Sequence, residues 1–518
     1  MGEVEGRMSR EKYAGADRLR DAFLDAGYTV DGVAGRLGPV ASAALARHET
    51  VPARRATASG DPLDTLVRLF LLQLPVDQQA ATRALPLDAA VALGVVYADG
   101  DEVHARLDVR PYGEKDGADP WWVVSDLGTG LDGTGRPLPT EHVLGVGGAS
   151  TMLAQLTPRS AVGRTLDVGT GCGVQALHAS RHSDHVVGTD VSVRSLQLAG
   201  LTAALSGVPI DLRPGDLLDP VRGETFDLVV SNPPFVVGAP AGATRHTYRD
   251  GGLPLDGVSA HLAGAAPDHL TDGGTLVLLA NWVLRDGEPW DERVAGWLPS
   301  NGVDALAVQR EVLDPAEYVA TWLRDAGERG TPGYLERYDG WLAALEGDRV
   351  EGVGFGFLVV RRTGADRRLT TLDWPHPVEQ PLGPHLDSWL GRQRWLAAHE
   401  TDDALAAATL TLAADVVQEQ VGSPGAEDPE HVVLRQQVGL RRALVSDTAT
   451  AALVGACDGR LTVGTLVAAV RQVLGDNGGD SGGDDGGDDG GGDGIDDSPD
   501  LLAQVRVLVE AGVLTPSV

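Results

Sequence analysis

Two short stretches decide how this chain is read: Leu166-Asp-Val-Gly-Thr-Gly-Cys-Gly173 and, about sixty residues on, Val229-Val-Ser-Asn-Pro-Pro-Phe235. The first reads as a strand running into a glycine turn, where the missing Cβ atoms let the backbone come close to a ligand. Dinucleotide sites space their glycines as GxGxxG so that a helix N-terminus meets a pyrophosphate. Here the glycines are Gly169, Gly171 and Gly173, and Val174 stands where that pattern wants the third glycine. Asp167, just before the turn, would repel a phosphate and suits a cationic ligand. NAD is therefore disfavoured. The second stretch puts an amide, Asn232, then Pro233, Pro234 and the ring of Phe235 at the end of another strand.

Outward from these stretches, residues 136–367 alternate strand and helix, the pattern of an α/β doubly wound sheet. Candidate strands are 165–168, 185–189, 210–214, 226–231, 275–280, 304–310 and 352–361, with helices among them at 174–180 and 193–206. Asp190 ends the second strand about twenty residues after the glycine turn, the placement used for ribose hydroxyls. Asp216, followed by Leu217, ends the third.

Taken together, the two stretches resemble the class I S-adenosylmethionine-dependent methyltransferases, in the Asn-Pro-Pro-Phe branch that methylates planar nitrogens. Release-factor glutamine methyltransferases and the "small" rRNA methyltransferases both carry this motif. The resemblance covers roughly residues 140–365 and implies a Rossmann-like seven-stranded sheet whose last strand is antiparallel. It implies S-adenosyl-L-methionine as cofactor, held by Asp167, Gly169, Gly171, Gly173, Asp190, Asp216, Leu217 and Asn232. S-adenosylmethionine has a sulfonium and an amino group and no phosphate, which agrees with the charge of Asp167. In the family's picture the Asn232 side-chain carbonyl and the Pro233 backbone carbonyl accept hydrogen bonds from the target nitrogen, and Phe235 stacks on a planar substrate. Tyr248-Arg-Asp-Gly-Gly252 would line the substrate entrance. No metal is implied.

The favoured substrate is a glutamine amide on a protein of the translation machinery, such as a release factor. The alternative is an exocyclic amine of rRNA or tRNA, guanine N2 or adenine N6, which would make the protein nucleic-acid binding. A third reading, from another class, is a non-catalytic scaffold that docks proteins. The net charge of −32 weighs against a large phosphate-binding surface. Ten aspartates lie between Asp476 and Asp500, so the remainder is still strongly acidic.

At 518 residues the chain should hold two to four domains. Residues 1–135 read as a helical, winged-helix-like domain with small strands. In it Asp61 can cap a helix that has Pro62 in its first turn, and Trp121 and Trp122 enter a buried layer. Residues 136–367 are the methyltransferase-like domain. The Pro-rich segment 373–384 marks a boundary, and 385–518 read as a second helical, winged-helix-like domain, with helices at 386–420, 434–454, 462–474 and 501–511. The Asp/Gly tract 475–497 cannot bury apolar surface and reads as disordered. A calcium β-roll there would need a regularly placed apolar residue, and only Ile495 is available.

The two cysteines, Cys172 and Cys457, exclude a disulfide framework and a zinc site of paired CxxC motifs. Cys172 reads as a small residue that fits the turn. The N-terminus has no signal-peptide h-region, and no apolar run approaches the ~18 residues of a spanning helix. A cytoplasmic protein without membrane contact is expected.

Overall fold

The computed structural model describes residues 12–113, 120–128, 131, 139–234, 236–238, 252–374, 376, 379–424, 431–477 and 500–517. Two compact units are present, 1–376 and 377–518.

The first unit is built on an eight-stranded sheet. Its strands are β1 (Val162–Val168), β2 (Ser183–Asp190), β3 (Asp211–Pro214), β4 (Phe226–Ser231), β5 (Leu270–Leu284), β6 (Asn301–Leu313), β7 (Gly352–Asp366) and β8 (Arg368–Asp373). They lie in the order β8-β6-β7-β5-β4-β1-β2-β3. All neighbouring pairs run parallel except those of β7, which is antiparallel to both β5 and β6. Seven of these strands follow the expected arrangement, antiparallel member included. The eighth, β8, was not expected from sequence. It pairs with the outer edge of β6, and its residues are at most half-buried, so its hydrophobic signal is weak.

The central strands are apolar runs because both faces are covered. Leu166, Val229, Leu276, Leu278, Trp282 and Leu358 belong to one buried cluster on one side. Helices α1 (Val174–Ala179) and α2 (Val193–Ser206) follow β1 and β2. Chain order reverses at β1, whose neighbours are β2 and β4. In such sheets ligands bind beyond the carboxyl ends of the strands at this point of reversal, here β1 and β4.

Ahead of the sheet, helix Pro62–Leu66 starts as expected, with the Asp61 side chain accepting from the Asp64 N–H. Strand Val76–Asp77, helices Gln78–Ala84 and Leu87–Ala92, and the hairpin Val96–Asp99/Glu102–Ala105 follow. Glu102–Ala105 lies between the other two strands, giving a winged-helix order. A second hairpin, Leu107–Tyr112/Trp121–Asp126, packs on α2. There the Val124 N–H donates to Thr202 Oγ1 at 2.9 Å and the Trp122 N–H to Ser206 Oγ at 3.1 Å. Trp121 and Trp122 are buried. Phe23, Phe70 and Trp122 share one hydrophobic cluster with Cys172, Leu177, Leu198 and Leu205, so the core runs across the sequence boundary drawn at 135/136.

In the second unit, helix Gly383–Ala398 is followed by Asp402–Ala407, but the helical reading of 386–420 then fails. Residues Thr409–Leu412 and Val416–Val421 are strands, and so are His431–Gln436 and Ala443–Ser446 within the helix expected at 434–454. Val416–Val421 and His431–Gln436 pair antiparallel, and Glu419 bonds Arg435 diagonally across them at 2.7 Å. Val416, Val417, Val421, Val432 and Val433 favour a strand, and the antiparallel pairing of the two runs agrees with that preference.

Helix Thr448–Ala456, strand Asp458–Thr462, helices Val463–Asn477 and Leu501–Ala511 and strand Leu514–Pro516 then follow. Thr409–Leu412 sits between the two strands. This resembles a winged helix whose central strand comes from upstream in the chain. Residues 475–477 belong to a helix, contrary to the disorder expected of them. The rest of the Asp/Gly tract lies outside the described residues.

Candidate active site

The carboxyl ends of four parallel strands meet at one edge of the sheet. Val168 of β1 lies opposite Thr189 of β2 and Ser231 of β4, and Asp190 of β2 lies opposite Pro214 of β3. This register brings the glycine turn, Asp190, the Asp216 loop and Asn232 to neighbouring strand ends, as the sequence motifs require.

Gly169, Gly171 and Gly173 all have positive φ, at 71°, 55° and 88°. Their surroundings differ. A Cβ on Gly169 or Gly171 would point into open space, whereas one on Gly173 would lie 3.4 Å from Ala199 of α2. The first two leave room for a ligand; the third lets α1 lie close to α2. The N–H groups of Gly169 and Thr170 both donate to the Thr189 carbonyl at 2.9 Å, which ties the turn to β2.

Asp167 is 1% exposed. Its Oδ2 accepts from Thr170 Oγ1 at 2.7 Å and from the Ala176 N–H at 3.1 Å. The carboxylate thus fastens the turn to the first residues of α1, a structural duty that sequence did not reveal. Burial pushes its pKa up to about 7, the negative charge of Asp190 adds to the shift, and the hydrogen bonds from Thr170 and Ala176 oppose it. Burial likewise pushes the Cys172 thiol up to about 12, so it carries no thiolate near neutral pH.

Asp190 Oδ2 accepts from the Gly171 N–H at 2.9 Å and Oδ1 from the Ser192 N–H at 2.8 Å. It does not cap α2. Ser192 holds that position, its side chain accepting from the Ser195 N–H. Burial raises the Asp190 pKa, and these backbone bonds oppose the shift. Asp216 is exposed beyond the end of β3. Leu217 is held at φ 42°, a conformation rare for a branched side chain, and its carbonyl accepts from Thr189 Oγ1 at 3.1 Å.

At the end of β4, Ser231 Oγ donates to the Val168 carbonyl at 2.8 Å, locking the two strand ends together. The next residue, Asn232, has a side-chain oxygen that is buried and has no hydrogen-bond partner among the described residues. A buried amide oxygen without a partner costs free energy, roughly 1–3 kcal/mol, and such groups in native proteins call for an explanation. Pro233 is buried and Pro234 half-buried. Phe235 and residues 248–251 of the expected substrate entrance lie outside the described residues.

Two buried residues that sequence reading missed touch the segment just after this motif. The Val237 N–H donates to the Tyr318 hydroxyl at 2.7 Å, and Trp341 Nε1–H donates to the Val237 carbonyl at 2.9 Å. Nothing in their local sequence announces a contact with a residue some 80 to 100 positions earlier.

A glycine turn with open space above it, a buried carboxylate beneath it and an unpaired amide oxygen at the adjacent strand end together fit a small cationic cofactor. Residues 145–288 match the family model described as the methyltransferase small domain. Residues 25–106 and 387–478 match models described only as domains of unknown function.

Among curated proteins, the release factor glutamine methyltransferase of Xylella fastidiosa is 36% identical over 130 residues, covering 23% of this chain and 47% of that protein. The ribosomal RNA small subunit methyltransferase C of Shigella flexneri is 33% identical over 147 residues, covering 28% of this chain and 38% of that protein. The chain therefore spans less than half the length of either relative. A solved T. thermophilus 16S rRNA N2 methyltransferase, in complex with AdoMet and guanosine, matches at 18% identity with a TM-score of 0.25, over 43% of this chain and 58% of that one. Among the described residues, no helix is long and apolar enough to cross a membrane, and no group of three metal-ligating side chains is found.

Proposed function

We propose that the chain is an S-adenosylmethionine-dependent N-methyltransferase acting on a planar nitrogen, with a glutamine amide of a translation-related protein as the favoured substrate. The observation that carries this is the buried oxygen of Asn232 at the carboxyl end of β4, which has no hydrogen-bond partner among the described residues.

S-adenosylmethionine, when bound, supplies an electrophilic methyl group. The turn Gly169–Gly173 and the carboxylates of Asp167 and Asp190 would hold it, with Asp216 and Leu217 at its adenine end. An amide nitrogen is a poor nucleophile because its lone pair is delocalised into the π-system. Asn232 Oδ1 and the Pro233 carbonyl would accept its two N–H groups and favour pyramidalisation as the methyl arrives. Prolines lack an N–H, so neither Pro233 nor Pro234 competes for these acceptors, and together they stiffen the turn. Positioning of the reacting atoms supplies most of the acceleration, up to ~7–11 kcal/mol in well-oriented systems. Phe235 would stack on the planar group.

The favoured protein substrate rests on the relative that modifies a release factor and on the net charge of −32. A second reading, an exocyclic amine of rRNA, rests on the relative named for ribosomal RNA. Either substrate would put the enzyme in the cytoplasm.

Calorimetric titration with S-adenosylmethionine and, separately, NADH tests the cofactor. Binding of the methyl donor alone, lost in Asp190→Ala, is expected. Labelled-methyl transfer to a purified release factor and to 16S rRNA then tests the substrate. Transfer to the protein that is insensitive to salt supports the favoured reading. Transfer to RNA that weakens steeply with salt overturns it in favour of the second.

A further inference from the structure

The target-binding turn is held from both ends, and the downstream anchor comes from an insertion in the sheet. Upstream, Ser231 Oγ fixes the end of β4 to the Val168 carbonyl. Downstream, the chain re-enters the core at Val237, which is 0% exposed. Its side chain belongs to a cluster with Val283, Tyr318, Val319, Trp341 and Leu345. Both of its backbone polar groups are satisfied by side chains, the N–H by the Tyr318 hydroxyl and the carbonyl by the Trp341 indole N–H. Gly238 follows at φ 69°, where a Cβ would lie 2.7 Å from Leu345. Tyr318 belongs to α3 (Pro315–Asp325), and Trp341 and Leu345 to α4 (Tyr334–Gly347), the two helices inserted between β6 and β7.

We propose that Tyr318 and Trp341 are positioning residues for methyl transfer. They clamp Val237 and thereby set the placement of Asn232 and Pro233. The inference rests on the reading of Asn232 and Pro233 as acceptors for the target nitrogen. The physical argument is short. Only four residues separate Asn232 from Val237, and two of them are prolines with fixed φ, which leaves fewer free torsions to absorb a displacement of Val237. Buried backbone groups need partners, and a loop that leaves the sheet for two side-chain bonds is held only while both persist. A misplacement of about 1 Å can cost 10²-fold in rate. The methyl donor would be held chiefly by the ends of β1 and β2, so its affinity should depend on these two residues much less than kcat does.

Tyr338 provides an internal control. Its hydroxyl donates to the Ala316 carbonyl at 2.8 Å, joining α4 to α3, and it supplies neither of the two hydrogen bonds that hold Val237. The full-length Tyr318→Phe, Trp341→Phe and Tyr338→Phe variants are compared by hydrogen exchange of peptides covering 229–238. They are also compared by calorimetry with S-adenosylmethionine, and by kcat and KM for labelled-methyl transfer to purified release factor and to 16S rRNA.

In Tyr318→Phe and Trp341→Phe, faster exchange at 236–238 is expected. A fall in kcat of about tenfold to a hundredfold should accompany it, with a much smaller change in affinity for S-adenosylmethionine and with Tyr338→Phe close to wild type in every respect. The clamp is overturned if exchange at 236–238 matches that of Tyr338→Phe, or if exchange rises while kcat holds. Asn232→Ala in the same assays separates the two levels. Normal methylation by that variant removes the acceptor reading itself, whereas its loss alongside wild-type behaviour of Tyr318→Phe removes only the clamp.

Discussion

Thr170 Oγ1 lies 2.7 Å from Asp167 Oδ2, and that carboxylate sits beneath the glycine turn with 1% of its surface exposed. This carboxylate braces the turn, and in the proposed function it would also offer negative charge to the cofactor. The raised pKa of Asp167, about 7, follows from the first of these, because bracing requires burial.

A pH dependence follows. The ordinary value of 3.8 describes the unfolded chain, so between about pH 4 and pH 7 the native state without ligand keeps a proton that the unfolded state has lost. Asp167 therefore lowers native stability as pH rises through this window, and the penalty is complete above 7. A cationic ligand requires the ionised form, so affinity for S-adenosylmethionine should rise with pH up to about 7 and then level off. Asp167→Asn keeps an oxygen for Thr170 and Ala176 but cannot ionise. Its Tm without ligand should equal wild type near pH 4 and exceed it by a few degrees at pH 8, while cofactor binding disappears. Thermal scans and calorimetry across pH 5–8 check both halves; a flat affinity profile would count against Asp167 as the counter-charge.

The three glycines of the turn should separate into two classes. Alanine at Gly169, Gly171 or Gly173 forces a left-handed conformation that costs roughly 1–2 kcal/mol, so all three variants should lose some stability. Only at Gly169 and Gly171 does the new methyl enter the open space above the turn. Those two should lose cofactor affinity as well, whereas Gly173→Ala, whose methyl faces Ala199, should bind almost normally. Dissociation constants measured beside Tm values distinguish the classes.

Asn232→Ala removes an acceptor that has no described partner, so Tm should hold or rise slightly. Methyl transfer should fall on the order of 10²–10³-fold, as it does when one preorganised group aimed at a reacting centre is deleted. Affinity for S-adenosylmethionine should fall by a smaller factor, because Asn232 is also expected to help hold the cofactor. Unaltered methylation would favour a scaffold whose site is not used for catalysis.

Much of this site was legible in the chain because it is local. The turn 166–173 carries its own conformational code in three glycines at positive φ, and the Asn-Pro-Pro signal is equally compact. The second unit was less legible. Residues 409–421 and 431–446 mix Leu, Ala, Gln and Arg with Val and Thr, so composition alone does not decide between helix and strand; antiparallel pairing of consecutive runs, and of 409–412 with the distant 458–462 and 514–516, makes them β structure. The 135/136 boundary shows the same limit. Trp122 and Leu198 join one core through the packing of a hairpin on α2, and no compositional break records that contact.

Residue order alone sufficed for the glycine turn, the acidic strand ends and the Asn-Pro-Pro turn at the end of β4, since each is a short run whose backbone geometry depends on its own side chains. Folding in three dimensions added the burial that raises Asp167 to about 7, the Ser231–Val168 bond and the grip of Tyr318 and Trp341 on Val237. Those features depend on side chains brought together from positions far apart in the chain. Hydrogen bonds and desolvation act over a few ångströms of space, whatever the number of residues between.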